Sequence, residues 1–161
     1  MVDFFKEIYN KEPRYNHKYD DLLKAFSTHG GGVSDEQRYV SGRFFSNAYE
    51  YYMYCAFLGL SMGKKVAIDK KDSHRFWNVG NWKPDDIVKF LIMSVLAKEE
   101  INLIEFEDLE DEIAFKRINE IIIALQEYAN GGMEHIYQLN EDDPEYFSDD
   151  TCFVNLLKDV V

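Results

Sequence analysis

Residues 41–62 read SGRFFSNAYEYYMYCAFLGLSM, and this stretch decides the fold class. Phe44, Ala48, Tyr51, Tyr52, Cys55, Gly59 and Met62 recur at the i, i+3/i+4, i+7 spacing of one helix face. Phe45, Tyr49, Ala56 and Leu60 fill much of the remaining circumference. A helix that is apolar nearly all round belongs in the middle of a fold. Its apolar part, Ala48 to Met62, contains Glu50 and four tyrosines. It is also shorter than the ~20 residues that span a bilayer, so it reads as a core helix. Gly63 is suited to a helix end, and Lys64 and Lys65 suit the negative pole beyond it.

On the N-terminal side, residues 3–9 (DFFKEIY) predict a short helix capped by Asp3, closed off by Pro13. Residues 20–27 (DDLLKAFS) predict a second, stopped by His29 and Gly30-Gly31-Gly32, where a mobile loop is expected. On the C-terminal side, 64–83 is irregular, with Val66-Ala67-Ile68 as a short extended piece. Pro84 at a first helical position, with Asp85 and Asp86 in the first turn, opens a helix over 84–99. Ile101 to Ile104 is a connector or the start of the next element. Residues 107–129 carry an apolar stripe of Leu109, Ile113, Ala114, Ile118, Ile121, Ile122, Leu125 and Ala129. Asn130-Gly131-Gly132 reads as the stop of that helix, with further turns over 133–139. NEDDPEYFSDD reads as a polar loop, and a short helix over 150–159 ends the chain. The prediction is an all-α single domain over 1–161, a compact helical bundle with about three long and three to four short helices.

The chain of 161 residues is 46% hydrophobic and 16% aromatic, enough for a packed core, so its net charge of −12 does not imply disorder. That charge disfavours nucleic acid and anionic membrane surfaces as general partners. Two cysteines, Cys55 and Cys152, make no disulfide framework, and Cys55 is expected as a buried free thiol. No secretory pattern opens the chain, and a cytoplasmic location is expected.

Gly59-Leu60-Ser61-Met62-Gly63-Lys64-Lys65 has one residue too few between its glycines for a phosphate loop, and it follows a helix rather than a strand. His17, His29, His74 and His135 share no i, i+4 spacing and neither cysteine lies in a CxxC pair, so no metal or cofactor is assigned. The acidic run from Glu105 to Glu112 lacks the spacing of a calcium loop and is read as a helix start. No nucleophile sits in a recognisable context, and no catalytic residue is assigned.

The unusual segment is 64–83. Six cations against Asp69 and Asp72 give it a charge of +4, which leaves −16 on the rest of the chain. Both tryptophans lie in it. One reading is that Phe76, Trp77 and Trp82 dock a long connection onto the core while the lysines stay in water. The other is a contact surface, with Lys70, Lys71, Arg75, Trp77 and Trp82 as the partner-binding residues. A protein partner is expected. Nucleic acid on the same segment, and a small-molecule enzyme with a pocket lined by tyrosines, are the alternatives.

An aromatic, Ala-rich helix, Phe44 to Phe57, runs into Leu58-Gly59-Leu60-Ser61-Met62-Gly63-Lys64-Lys65, followed by Val66-Ala67-Ile68. This pattern resembles small bacterial proteins found beside DNA-phosphorothioation (dnd) and similar DNA-defence loci. It covers about 25 of the 161 residues. The resemblance implies an accessory role in DNA modification or restriction and carries over no catalytic residues.

Overall fold

The computed structural model describes residues 1–27 and 44–160. Helix α1 is Phe4–Tyr9, and its cap is the predicted one: the Asp3 carboxylate accepts from the Lys6 N–H at 3.1 Å. Strand β1 (Arg14–Asn16) and a 3-10 turn (His17–Tyr19) lead into α2 (Asp20–Phe26). The predicted Gly30–Gly32 loop lies outside the described residues, as do residues 41–43. Helix α3 is Ala48–Met62. It begins at Ala48 rather than at residue 41, because Asn47 is extended and Phe44 and Phe45 form a bent approach whose N–H groups both donate to the Phe26 carbonyl.

Gly63 ends α3 in the left-handed conformation, φ 62°, and the Lys64 N–H closes back onto the Gly59 carbonyl at 2.9 Å. Strand β2 (Ser73–Arg75) pairs antiparallel with β1, and a 3-10 turn (Val79–Asn81) follows. Helix α4 is Asp85–Lys98, α5 is Leu103–Phe106, α6 is Asp111–Asp142, and α7 is Cys152–Val160. Pro144–Ser148 between the last two is a 3-10 turn that buries Phe147, so the expected polar loop carries an apolar anchor. The architecture is mostly helical, with three long and four short helices and one two-stranded ladder among the described residues.

The main departure from the sequence reading is α6. It runs for 32 residues straight through Asn130-Gly131-Gly132, which the sequence reads as a stop. All three are buried. A Cβ added to Gly132 would run into the Cys55 carbonyl of α3, one on Gly59 would run into the Tyr128 carbonyl of α6, and one on Gly131 would meet the Lys64 carbonyl. The glycines are therefore where two helices touch backbone to backbone. A glycine in a helix interior costs about 1 kcal/mol of propensity. Here the close packing of α3 and α6 offsets it.

Asn130 is fully buried and fully bonded. Its amide donates to the Gln126 carbonyl at 2.7 Å and the Arg14 carbonyl at 3.2 Å, and its oxygen accepts from the Asn16 N–H at 2.8 Å. It bonds back within its own helix and outward to β1, so the helix continues and the small ladder is fastened to it. Cys55, on the side of α3 facing α6, is fully buried as expected, and burial pushes its thiol well above the ordinary range.

Candidate functional site

Segment 64–83 is held by its backbone and its rings. The Val66 N–H donates to the Glu127 carbonyl of α6 at 3.0 Å. Asn16 closes a second link: its side chain accepts from the Asp69 N–H at 2.7 Å and donates to the Ala67 carbonyl at 3.1 Å. The strands then pair Arg14 with Arg75, Tyr15 with His74 and Asn16 with Ser73. Beyond the ladder, Phe76 is buried and stacks on Tyr52, ring centroids 4.7 Å apart at 15°.

The structure distributes the sequence-derived contact residues over two depths. Lys70, Lys71 and Arg75 are exposed. Trp77 is half-buried, stacked on Phe76 at 5.8 Å with its edge near Tyr49 at 5.7 Å. Trp82 is 1% exposed, packs against Tyr52 and Phe76, and donates its indole N–H to the Trp77 carbonyl at 3.2 Å. Trp82 thus belongs to the core beneath the segment, while the cations face water above it. Trp77 sits between the two.

Next to these cations lies a groove of about 490 Å³ between residues 66–70 and α6. Ala67, Ile68 and Ile123 supply its apolar lining. Arg14, Lys70, Gln126 and Glu127 supply its polar edge. Ile123 is 48% exposed, apolar surface of α6 turned outward, as are Phe115 and Ile113, the latter expected in the buried stripe. The Arg14 guanidinium is tied down, donating from Nε to the Ser73 hydroxyl and from Nη2 to the Ser73 carbonyl, both at 3.0 Å. Lys70 is therefore the adaptable cation of the groove.

The ladder also assembles a polar cluster on its outer side. His17 Nδ1 and His74 Nε2 lie 2.6 Å apart, and both rings are exposed. Asp20, the first residue of α2, is 7% exposed beside them. Its Oδ1 accepts from the Tyr15 hydroxyl at 2.7 Å, and its Oδ2 pairs with Lys24 Nζ at 2.7 Å. Burial opposes ionisation of Asp20. Hydrogen bonds from Lys24 and Tyr15, with the charges of Lys24 and His74, overcome it and hold the carboxyl below its usual value. Burial, with the bond to Asp20, pushes the Tyr15 phenol well above the ordinary range, so it stays a proton donor.

Spacing along the chain cannot reveal this cluster. His17 and His74 come together only through the β1–β2 register. His17-x-x-Asp20 at a helix start was the one local signal, and it means little until His74 arrives. Several of the abundant tyrosines serve as core members anchored at the hydroxyl: Tyr52 donates to the Arg14 carbonyl at 2.9 Å and Tyr128 to Glu99 at 2.7 Å. The acidic run is a helix start only at its end, with Asp111 and Glu112 in the first turn of α6, whereas Glu105 lies in α5. Among the described residues, no helix is long and apolar enough to cross a membrane. No family model, curated protein or solved structure matches this chain.

Proposed function

We propose that this protein is a non-enzymatic accessory protein that docks a protein partner in the groove between residues 66–70 and α6. The observation that carries the proposal is the groove itself: apolar lining from Ala67, Ile68 and Ile123, with Lys70 at its edge. The partner that fits is a segment with apolar anchors and at least one carboxylate. Lys70 meets that carboxylate, with Lys71 and Arg75 as further exposed cations of the segment, while Trp77 lies outside the groove lining against Phe76 and Tyr49. The strongly negative remainder of the chain disfavours wider contact with a polyanion and orients an approaching partner toward the +4 segment. The resemblance of residues 44–68 to proteins of DNA-phosphorothioation and DNA-defence loci supports a partner from a bacterial DNA-modification or defence system.

The test is recovery of the native protein with its partners, with and without nuclease, compared with Ile123→Glu and Lys70→Glu variants of unchanged melting temperature. A stoichiometric protein that survives nuclease and is lost from both variants supports docking in the groove. Equal recovery by the variants removes the groove from the reading. Partners lost only with nuclease favour nucleic acid on segment 64–83. Binding then weakens steeply with salt, and the slope falls when Lys70, Lys71 and Arg75 are replaced by Ala.

A further inference from the structure

We infer that His17, Asp20 and His74 form a binding site for one zinc-class divalent transition-metal ion. The site does not depend on the groove reading. One ring nitrogen of His17, one of His74 and a carboxylate oxygen of Asp20 all lie within 4.8 Å of one another, and His17 Nδ1 faces His74 Nε2. The three ligands come from three separate elements: the 3-10 turn after β1, the start of α2, and the middle of β2. Their frame is fixed. The His17 N–H donates to the Asp72 carbonyl at 3.0 Å, and His74 sits opposite Tyr15 in the ladder with the two rings 5.4 Å apart.

Asp20 has the outer support that metal-bound carboxylates use. The Tyr15 hydroxyl donates to Oδ1 and fixes the carboxylate, while Oδ2 is held by the Lys24 ammonium at 2.7 Å. Two imidazoles and one carboxylate suit zinc and its first-row neighbours, and do not suit calcium or magnesium, which take oxygen donors. Three protein ligands leave a fourth position for water or for a side chain of a bound partner.

The 2.6 Å separation of the two nitrogens requires one ring to donate a hydrogen and the other to accept it. A metal ion replaces that shared hydrogen. The donor ring moves its N–H to its other nitrogen, and both facing nitrogens then present lone pairs. Metal–nitrogen bonds of about 2.0–2.1 Å at a tetrahedral angle set the nitrogens about 3.4 Å apart, so the exposed rings must part by roughly 0.8 Å. The Lys24 ammonium is the cation that now occupies Oδ2 of Asp20. Its side chain is 55% exposed, and it can swing into water when the metal arrives. Lys24 is therefore a competitor, and its removal tightens metal binding.

The experiment titrates Zn2+, with Ca2+ as control, calorimetrically into the full chain stripped of metal by a chelator. The expected result is one Zn2+ per chain and no Ca2+ response. A His17→Ala/His74→Ala double variant loses the binding. Tyr15→Phe weakens it by about 10–100-fold, and Lys24→Ala strengthens it several-fold. Imidazole nitrogen resonances of the unmutated chain give a readout that needs no variant: Zn2+ shifts His17 Nδ1 and His74 Nε2 and leaves His135 in place. Absence of Zn2+ binding overturns the proposal. So does binding of equal strength in the double variant, or a shift at other histidines in place of these two.

Discussion

The α3–α6 crossing and the β1–β2 ladder both join distant parts of the chain, and they do so by opposite means. At the crossing, Gly59, Gly131 and Gly132 remove side chains so that backbone meets backbone, and the contact is dry and apolar. At the ladder, three residue pairs are supplemented by side-chain hydrogen bonds from Asn16, Asn130 and Arg14, and the outer face is wet. The crossing has no room for a functional group. The ladder and the segment leading into it carry a groove, three exposed cations and a His–Asp–His cluster. Stability and candidate function are thus concentrated in different places, and substitutions should separate them.

The largest expected effect is at the crossing. In an ordinary helix interior, Gly→Ala stabilises by about 1 kcal/mol. Gly132→Ala should instead destabilise by about 3 kcal/mol, at or beyond the upper range for overpacking, because the new methyl meets the Cys55 backbone rather than a side chain that can move. Denaturant unfolding at equilibrium reads the sign directly. A stabilised Gly132→Ala protein would mean that the two helices do not approach as closely as described.

Asn130 links the two regions, so its loss should be felt at both. Asn130→Ala leaves the Asn16 N–H without its acceptor and the Arg14 carbonyl without one of its donors, since Tyr52 still bonds to it. The expected cost is about 2 kcal/mol, in the range for a buried polar group left unsatisfied. Hydrogen exchange should show the Asn16 amide losing protection while amides in the middle of α3 keep theirs. Equal loss in both would mean that the ladder and the crossing unfold as one unit.

These two positions also show what the sequence makes legible. The apolar circumference of residues 48–62 and the stripe from Ala114 to Ala129 follow from helical periodicity, because burial imposes that period on the side chains. Asn130-Gly131-Gly132 has the composition of a helix stop, and composition alone cannot distinguish a turn from a close crossing. The distinction depends on which helix lies alongside, and that is a tertiary fact. The exposed cations of 64–83 were legible from charge, and the burial of Trp82 was not, since an interleaved aromatic can face either way. The His17–Asp20–His74 cluster was illegible for the same reason: its register is set by hydrogen bonds between segments far apart in the chain.

A smaller effect sharpens the electrostatics of the ladder. Asp20 has a carboxyl held below its ordinary value of 3.8, so ionised Asp20 stabilises the folded state. That contribution is fully present above the unfolded value and is lost as pH falls through the lower folded value. Tyr15→Phe keeps the ring and removes one of the hydrogen bonds that lower the value. It should cost about 1–2 kcal/mol at neutral pH, and the deficit should close as pH drops below 3.8 and Asp20 takes up a proton. A deficit independent of pH would assign the loss to packing of the ring rather than to the carboxylate.

The smallest expected effect on stability is at the exposed cations, and there the comparison turns into a separation of function from fold. Lys70 and Lys71 are exposed, and the Lys71 backbone N–H, which donates to Asp69 at 2.9 Å, survives any side-chain change. Lys70→Ala/Lys71→Ala should therefore shift stability by no more than about 0.5 kcal/mol, the ordinary range for surface positions. The double variant also moves the net charge from −12 to −14. If the groove docks a partner with a carboxylate at its edge, the association rate should fall and its salt dependence should flatten, while the melting curve stays in place. A melting curve that drops with the binding would show that the cations hold segment 64–83 onto the core, which would make them part of the fold rather than part of the surface.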